Sequence, residues 1–333
     1  MRVTVLGAGS WGTTVGTLLC RRDHEVLLWA RNPEVAAEVN EQRSNTAYLP
    51  DSRLPARLRA TSDLEQAARH ADLLFVGVPT SAFRNTLERV RPLLAPWIPV
   101  VSLSKGLERD THLRMTEVIK QVLPGRPAAA LTGPNLAKEI MAGQAAASVI
   151  ATEDLAVATA LQHEVQRGMF RVYTHHDVVG CEIGGALKNV IAIATGMAQG
   201  LGVGDNTRAG VMSRGLAELT TLAVAMGGEA TTLAGLAGMG DLVATCMSPQ
   251  SRNRHVGEQL GLGRSLEDVL GEMRMVAEGV KTSSTVVELA DRYGLHMPIA
   301  RTINDVVTGR IRAADAYKGL IRAVPAGHES QPG

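Results

Sequence analysis

Hydrophobic residues in the first half of the chain fall into short, nearly unbroken runs separated by longer mixed stretches. Val3 to Leu6, Glu25 to Ala30, Asp72 to Val78 and Pro99 to Leu103 are such runs. Rich in aliphatic and β-branched residues, they predict strands covered on both faces. Ala128 to Leu131 and Ala147 to Ile150 supply further runs that extend the same sheet. Between them the sequence reads as helix or loop; in TTVGTLLCRR, for instance, Val15, Leu18 and Leu19 recur at helical spacing. Strand alternating with helix predicts an α/β fold, a doubly wound parallel sheet with helices on both faces.

After about Gly180 the texture changes: strand-like runs stop and apolar residues recur every three or four positions. Met212, Leu216, Leu219, Ala223 and Met226 mark one helix face, closed by Gly227 and Gly228. Val286, Leu289, Ala290 and Tyr293 mark another, with Gly294 as its stop. The pattern predicts one domain over residues 1–180, an all-α domain over 181–325 and a disordered polar tail at 326–333.

Composition narrows the class. A chain of 333 residues exceeds what one core usually organises, so two domains meeting at a cleft are expected. Lys plus Arg (34) nearly cancels Asp plus Glu (33), which removes the electrostatic case for nucleic acid as a partner. No basic segment precedes an apolar stretch at the start, and no later run reads as long enough to span a bilayer, so a signal peptide and membrane insertion are not expected. Cys20, Cys181 and Cys246 are widely spaced and odd in number, which predicts buried, reduced thiols in a cytoplasmic chain.

The chemistry begins at Gly7-x-Gly9-x-x-Gly12, which follows the first strand and opens the first helix. In that position the pattern predicts a Rossmann-type dinucleotide site. Gly7 permits the tight turn, Gly9 leaves room for a pyrophosphate, Gly12 lets helix pack on strand, and the helix N–H groups face the anion. Where a strictly NAD-selective site places an acidic residue, this chain has Trp29-Ala30-Arg31-Asn32. Arg31 is either a partner for adenine and a 2′-phosphate, so that NADP(H) is accepted beside NAD(H), or a solvated arginine at a strand end.

Gly184, Gly185, Lys188 and Ala192 share one helix face, with Ile183, Leu187, Val190 and Ala194 on the other. Two interior glycines weaken a helix by roughly 1 kcal/mol each, so close approach of a ligand or another backbone is expected there. A partly desolvated Lys188 would have a lowered pKa and trade a proton near neutral pH; the alternative is an exposed lysine on an ordinary helix. Ser251-Arg252-Asn253-Arg254 offers a serine cap, helix N–H groups and guanidinium groups, which suits a phosphate or carboxylate as well as a capped surface helix. Pro134 in Gly133-Pro134-Asn135 suits a first helical turn whose N–H groups meet an anion, and Lys105 follows a strand's carboxyl end, where open α/β sheets place ligands. Asp241, after GLAGMG, is placed to orient Lys188 or a substrate hydroxyl. His175 and His176 lack a second metal-ligand spacing and read as structural or surface, so no metal is expected.

Taken together, GAGSWGTTVG, YLPDSRLP, SLSKGLE, TGPNLAKEI, EIGGALKNVIAIATG, NTRAGVMSRGLAEL, GLAGMGDLVATC, SRNRHVGEQLG and VAEGVKT resemble the bacterial NAD(P)-dependent glycerol-3-phosphate dehydrogenase family over nearly the whole chain. The resemblance implies Lys188 as proton acceptor, with substrate contacts from Lys105, Gly133, Asn135, Asp241, Ser251, Arg252 and Asn253. It implies cofactor contacts from Ser10, Trp11, Arg31, Lys105, Ala137, Arg252, Val276 and Glu278; for Ala137, Val276 and Glu278 it is the whole basis. It further implies small phosphorylated substrates and a supply of glycerol 3-phosphate for phospholipid synthesis; the largely apolar helical domain suits a homodimer, and the cysteine pattern a cytoplasmic location. Asn135 stands where the family usually has Ser or Thr, and Leu136 where Phe is common. Dehydrogenases of 6-phosphogluconate, 3-hydroxyacyl-CoA and nucleotide sugars, and a non-catalytic redox sensor, are the competing readings; Arg252 and the GALKN segment fit a small phosphorylated substrate better.

Overall fold

The computed structural model describes residues 1–20, 23–273 and 277–316. Eight strands form one sheet: β1 (Arg2–Leu6), β2 (Glu25–Trp29), β3 (Arg59–Thr61), β4 (Leu73–Val76), β5 (Val100–Ser102), β6 (Ala128–Thr132), β7 (Ala146–Ala151) and β8 (Phe170–His175). Their order is β3-β2-β1-β4-β5-β6-β7-β8. The chain order reverses between β1 and β4, so this doubly wound sheet has its switch point there, beside the carboxyl ends where such sheets bind ligands.

Alternate residues of a strand face opposite layers. Val3 and Val5 of β1 and Phe75 of β4 pack with Val15, Leu18 and Leu19 of the first helix, Ser10–Cys20. Leu6, Leu74 and Val76 pack with Phe83, Leu87 and Val90 of the Thr80–Val90 helix on the other side. Unbroken apolar runs thus arise because both faces are covered.

Two features depart from the sequence reading. The sheet is not wholly parallel, since β6 and β7 pair antiparallel. The Ala137–Met141 helix between them has 5 residues, too little to carry the chain back across the sheet for a parallel return. In addition, β3 and β8 were not anticipated. β3 has 3 residues. β8, at the sheet edge, buries Phe170 and Val172 and exposes Arg171 and Tyr173, a period-two pattern instead of a solid run.

The chain divides into two compact units. Met1–Glu108 and Leu113–Val178 make the first; Arg109–His112 and the residues from Val179 make the second. The excursion at 109–112 is held in the second unit by His112, whose Nε2 lies 2.8 Å from Glu288 Oε2. Among its described residues the second unit's elements are all helices. The tail at 326–333 lies outside the described residues.

At Val178–Gly200 a 23-residue helix has the length and apolar composition of a membrane span, contrary to the expectation that no such run exists. Its most apolar window is 94% buried by the protein itself, as a core helix is. Ala230–Met247 passes the same test, but it is broken by a π-helical turn at Leu236–Gly240. The Asp205–Ala225 helix also corrects the reading: its buried stripe is Gly215, Glu218, Leu219, Leu222 and Ala223, while Met212, Leu216 and Met226 are only partly covered. Glu218 turns inward because its carboxylate accepts the N–H groups of Ile299 (2.7 Å) and Ala300 (3.1 Å) at the start of the Pro298–Val307 helix. That helix has no cap of its own, so a distant carboxylate supplies one.

Glycines set the closest packing in the second unit. A Cβ on Gly196 would lie 2.0 Å from Arg254 O, and one on Gly257 would lie 2.0 Å from Ile193 O. Gly200 and Gly261 meet the facing helix in the same way. The Val178–Gly200 and Arg252–Gly261 helices therefore touch backbone to backbone, which fixes how both are rotated about their axes.

Candidate active site

The three glycines of the turn do separate work. Gly7 has φ +115°, outside the range of ordinary L-residues, and a Cβ there would lie 2.6 Å from Gly77 O after β4. A Cβ on Gly9 would meet no atom within 4 Å, which leaves open space over the turn. On Gly12 it would lie 2.0 Å from Gly7 O, so the helix packs against the turn itself. Gly7 N–H donates to Trp29 O of β2 at 3.0 Å. This cradle, which side chains would fill, fits a dinucleotide pyrophosphate.

Around it, Ser10 begins the first helix and donates to Tyr48 O at 3.1 Å. The Trp11 ring packs against Phe170 with centroids 6.2 Å apart, and its buried Nε1 has no partner. Arg31 is exposed just past β2. At the carboxyl ends of β5 and β6, Lys105 Nζ donates to Gly133 O at 2.8 Å. Gly133 has φ +127°, and a Cβ there would lie 3.2 Å from Ser148 Cα of β7. Asn135 Nδ2 donates to Ser148 Oγ at 3.0 Å, and Ser148 donates on to Thr132 O at 2.8 Å. The helix in this segment starts only at Ala137, with Leu136 as an uncapped N-cap. Pro134 is thus not in a first helical turn as expected; Gly133, lying flat against β7, turns the chain before the helix can begin.

In the second unit, Lys188 and Asp241 are both buried and form an ion pair through Asp241 Oδ1. Lys188 Nζ also donates to Thr245 Oγ1 at 2.7 Å, and that hydroxyl donates to Asp241 O at 2.6 Å. Burial and the neighbouring carboxylate act on the ammonium ion in opposite senses, the first against its charge and the second for it. The Val178–Gly200 helix is buried on both faces around Lys188, not on one. Gly184 meets a backbone: its Cβ would lie 2.6 Å from Ala237 O in the π-helical turn that delivers Asp241.

Ser251 caps the Arg252–Gly261 helix by accepting Arg254 N–H at 3.2 Å. Arg252 is exposed on its first turn. Arg254 is buried instead and donates to Ser248 O (3.0 Å) and Gln199 Oε1 (2.6 Å). Asn253 donates to Asn189 Oδ1 at 3.0 Å and accepts Gly279 N–H at 2.9 Å. It thereby ties the helix that starts at Glu278 to the Ser251 end and to a neighbour of Lys188. Val276 lies outside the described residues.

Sequence reasoning missed Thr245, Ser148 and Asn189. Thr245 was findable, one helical turn after Asp241 on the same helix; Ser148 and Asn189 act only through tertiary pairing. Cys20, Cys181 and Cys246 are buried and in no disulfide, and burial pushes the Cys246 thiol up to about 11. His175 and His176 stack with ring centroids 5.2 Å apart; among the described residues no group of three or more His, Cys, Asp or Glu side chains is arranged to hold a metal ion.

A glycine turn at the switch point of a doubly wound sheet, joined to a unit of helices in which Lys188 is buried, defines a class: an α/β dinucleotide-binding unit linked to a unit whose described elements are helices. The sequence profile for the NAD-dependent glycerol-3-phosphate dehydrogenase N-terminus matches residues 2–158, and that for its C-terminus matches 177–318. The chain belongs to this NAD-dependent glycerol-3-phosphate dehydrogenase family. It is 54% identical over 333 residues to glycerol-3-phosphate dehydrogenase (NAD(P)+) 2 of Sphingopyxis alaskensis, covering 100% of this chain and 99% of that one. It is 51% identical to the glycerol-3-phosphate dehydrogenase (NAD(P)+) of Mycobacterium avium, over 98% and 96% of the two chains. The crystal structure of glycerol-3-phosphate dehydrogenase from Coxiella burnetii superposes with a TM-score of 0.92 at 33% identity, covering 96% of this chain and 98% of that one.

Proposed function

We propose that this chain is an NAD(P)-dependent sn-glycerol-3-phosphate dehydrogenase that interconverts dihydroxyacetone phosphate and glycerol 3-phosphate. The buried Lys188–Asp241 pair, in a member of this family, carries the reading. The nicotinamide, when bound, supplies or takes the hydride. Lys188 supplies the proton: its ammonium group protonates the C2 oxygen as the ketone is reduced, and its amine takes the hydroxyl proton in the reverse direction. Asp241 and Thr245 hold Nζ in place through the exchange. Arg252 and the N–H groups of the Ser251-capped helix bind the phosphate. Lys105, Gly133, Asn135 and Asn253 complete the substrate contacts.

Gly7, Gly9, Gly12, Ser10 and Trp11 hold the cofactor, with Arg31 at the 2′-phosphate of NADP(H), and Ala137, Val276 and Glu278 beside them. In this reading residues 1–180 supply most of the cofactor contacts and 181–325 most of the substrate contacts, with Val276 and Glu278 reaching the cofactor and Lys105, Gly133 and Asn135 the substrate. In the cell we place the enzyme in the cytoplasm, as a homodimer, reducing the ketone to supply phospholipid synthesis. Adding dihydroxyacetone phosphate to enzyme and NADPH tests the reading through the near-ultraviolet absorbance of NADPH. Steady decay is expected with the phosphorylated ketone and far less with dihydroxyacetone; tight NADPH binding without decay would instead make the protein a sensor.

A further inference from the structure

YLPDSRLP marks a loop to which the proposed reaction gives no role, and the residue that anchors its start faces the glycine turn. Asn45 is fully buried. Its Nδ2 donates to Ala8 O and to Thr13 Oγ1, both at 2.9 Å. Ala8 lies between Gly7 and Gly9, and Thr13 lies in the first helix, so one carboxamide clasps the turn to the helix that follows it. The same loop is fastened twice more: Leu49 N–H donates to Asn45 O at 2.7 Å, and Ser10 Oγ donates to Tyr48 O at 3.1 Å.

A backbone carbonyl only accepts, so Ala8 O fixes which end of the Asn45 amide faces it. Asn45 Oδ1 is left buried without a partner. Buried polar groups are seldom left unmatched, so a residue kept in this arrangement has a task besides satisfying its own hydrogen bonds. The geometry of the peptide shows the task. Ala8 C=O and Gly9 N–H belong to one planar trans peptide and point in opposite directions. Holding the carbonyl inward on Asn45 turns Gly9 N–H outward, at the glycine whose Cβ position is open.

We propose that Asn45 is a positioning residue that aims the Gly9 N–H at the cofactor pyrophosphate, by clamping the opposite end of the same peptide. The proposal rests on the glycine turn being the dinucleotide site. Asn45→Asp keeps the shape but places a carboxylate against Ala8 O, whereas Asn45→Ala only removes the clamp. Titrations of NADPH and of ADP-ribose, which has the pyrophosphate but no nicotinamide, read the effect without catalysis. Both ligands should weaken by about tenfold or more in Asn45→Asp and by less in Asn45→Ala. At saturating NADPH, kcat and the KM for the ketone should stay within about twofold of wild type. On the unaltered protein, the Gly9 amide proton should move downfield as ADP-ribose saturates. Equal affinity in Asn45→Asp, or an unmoved Gly9 signal in a protein that binds ADP-ribose, overturns the role of Asn45. A wild type that binds neither ligand overturns the dinucleotide reading beneath it.

Discussion

Arg252 and Arg254 stand two positions apart on one helix and are put to different uses. Arg254 is buried against Ser248 O and Gln199, whereas Arg252 is exposed on the first turn. Arg252→Ala should weaken recognition of dihydroxyacetone phosphate by about 2 kcal/mol, the worth of a charge-assisted hydrogen bond, while leaving thermal stability unchanged. The kcat/KM ratio between phosphorylated and unphosphorylated ketone reads this directly, and a loss shared equally by both ketones would remove Arg252 from the phosphate site. Arg254→Ala should do the reverse, lowering the melting temperature. The four letters SRNR announced an anion site but not this division, because which side chain turns inward depends on how the helix is rotated. Asn253 shows the same limit: its amide is occupied by Asn189 and Gly279, partners far away in sequence.

Helix rotation in the second unit is set by glycines that meet opposing backbone. Gly257→Ala would place a methyl group 2.0 Å from Ile193 O, so the helices must separate, with an expected loss of about 1–3 kcal/mol in unfolding free energy. A melting temperature equal to that of wild type would mean the contact is looser than described. Glu218 gives the pH dependence of the same bundle. Burial pushes its carboxyl from the ordinary 4.5 up to about 7, even though two N–H groups favour its charged form. Between those values the folded protein holds a proton that the unfolded chain has released. Stability from this site is therefore present below about pH 4.5, falls as pH rises and levels off above about pH 7, a loss of about 3 kcal/mol at most. Urea unfolding of wild type and Glu218→Gln across that range should show the wild type losing ground to the variant as pH rises; parallel curves would contradict it. Periodicity alone pointed to Met212 and Leu216 as the inner face, because an acid that caps another helix looks, in sequence, like a solvent-facing residue.

At the scale of the whole molecule, the nearly solid apolar runs of β1, β2, β4 and β5 made the sheet legible, since strands covered on both faces leave few polar positions. The antiparallel turn into β7 and the alternating edge strand β8 were hidden because neither follows that pattern. The excursion of Arg109–His112 into the helical unit leaves no local mark at all. The glycine turn and Lys188 were legible from spacing, but the ion pair with Asp241 joins residues 53 positions apart. The proposed reaction takes the cofactor from residues of the first unit and the proton from Lys188 of the second, and a single substitution separates the two roles. In Lys188→Ala, NADPH affinity should remain within about twofold of wild type while kcat for dihydroxyacetone phosphate reduction falls about a hundred- to ten-thousandfold. A variant that binds NADPH normally and turns over at nearly the wild-type rate would contradict the account.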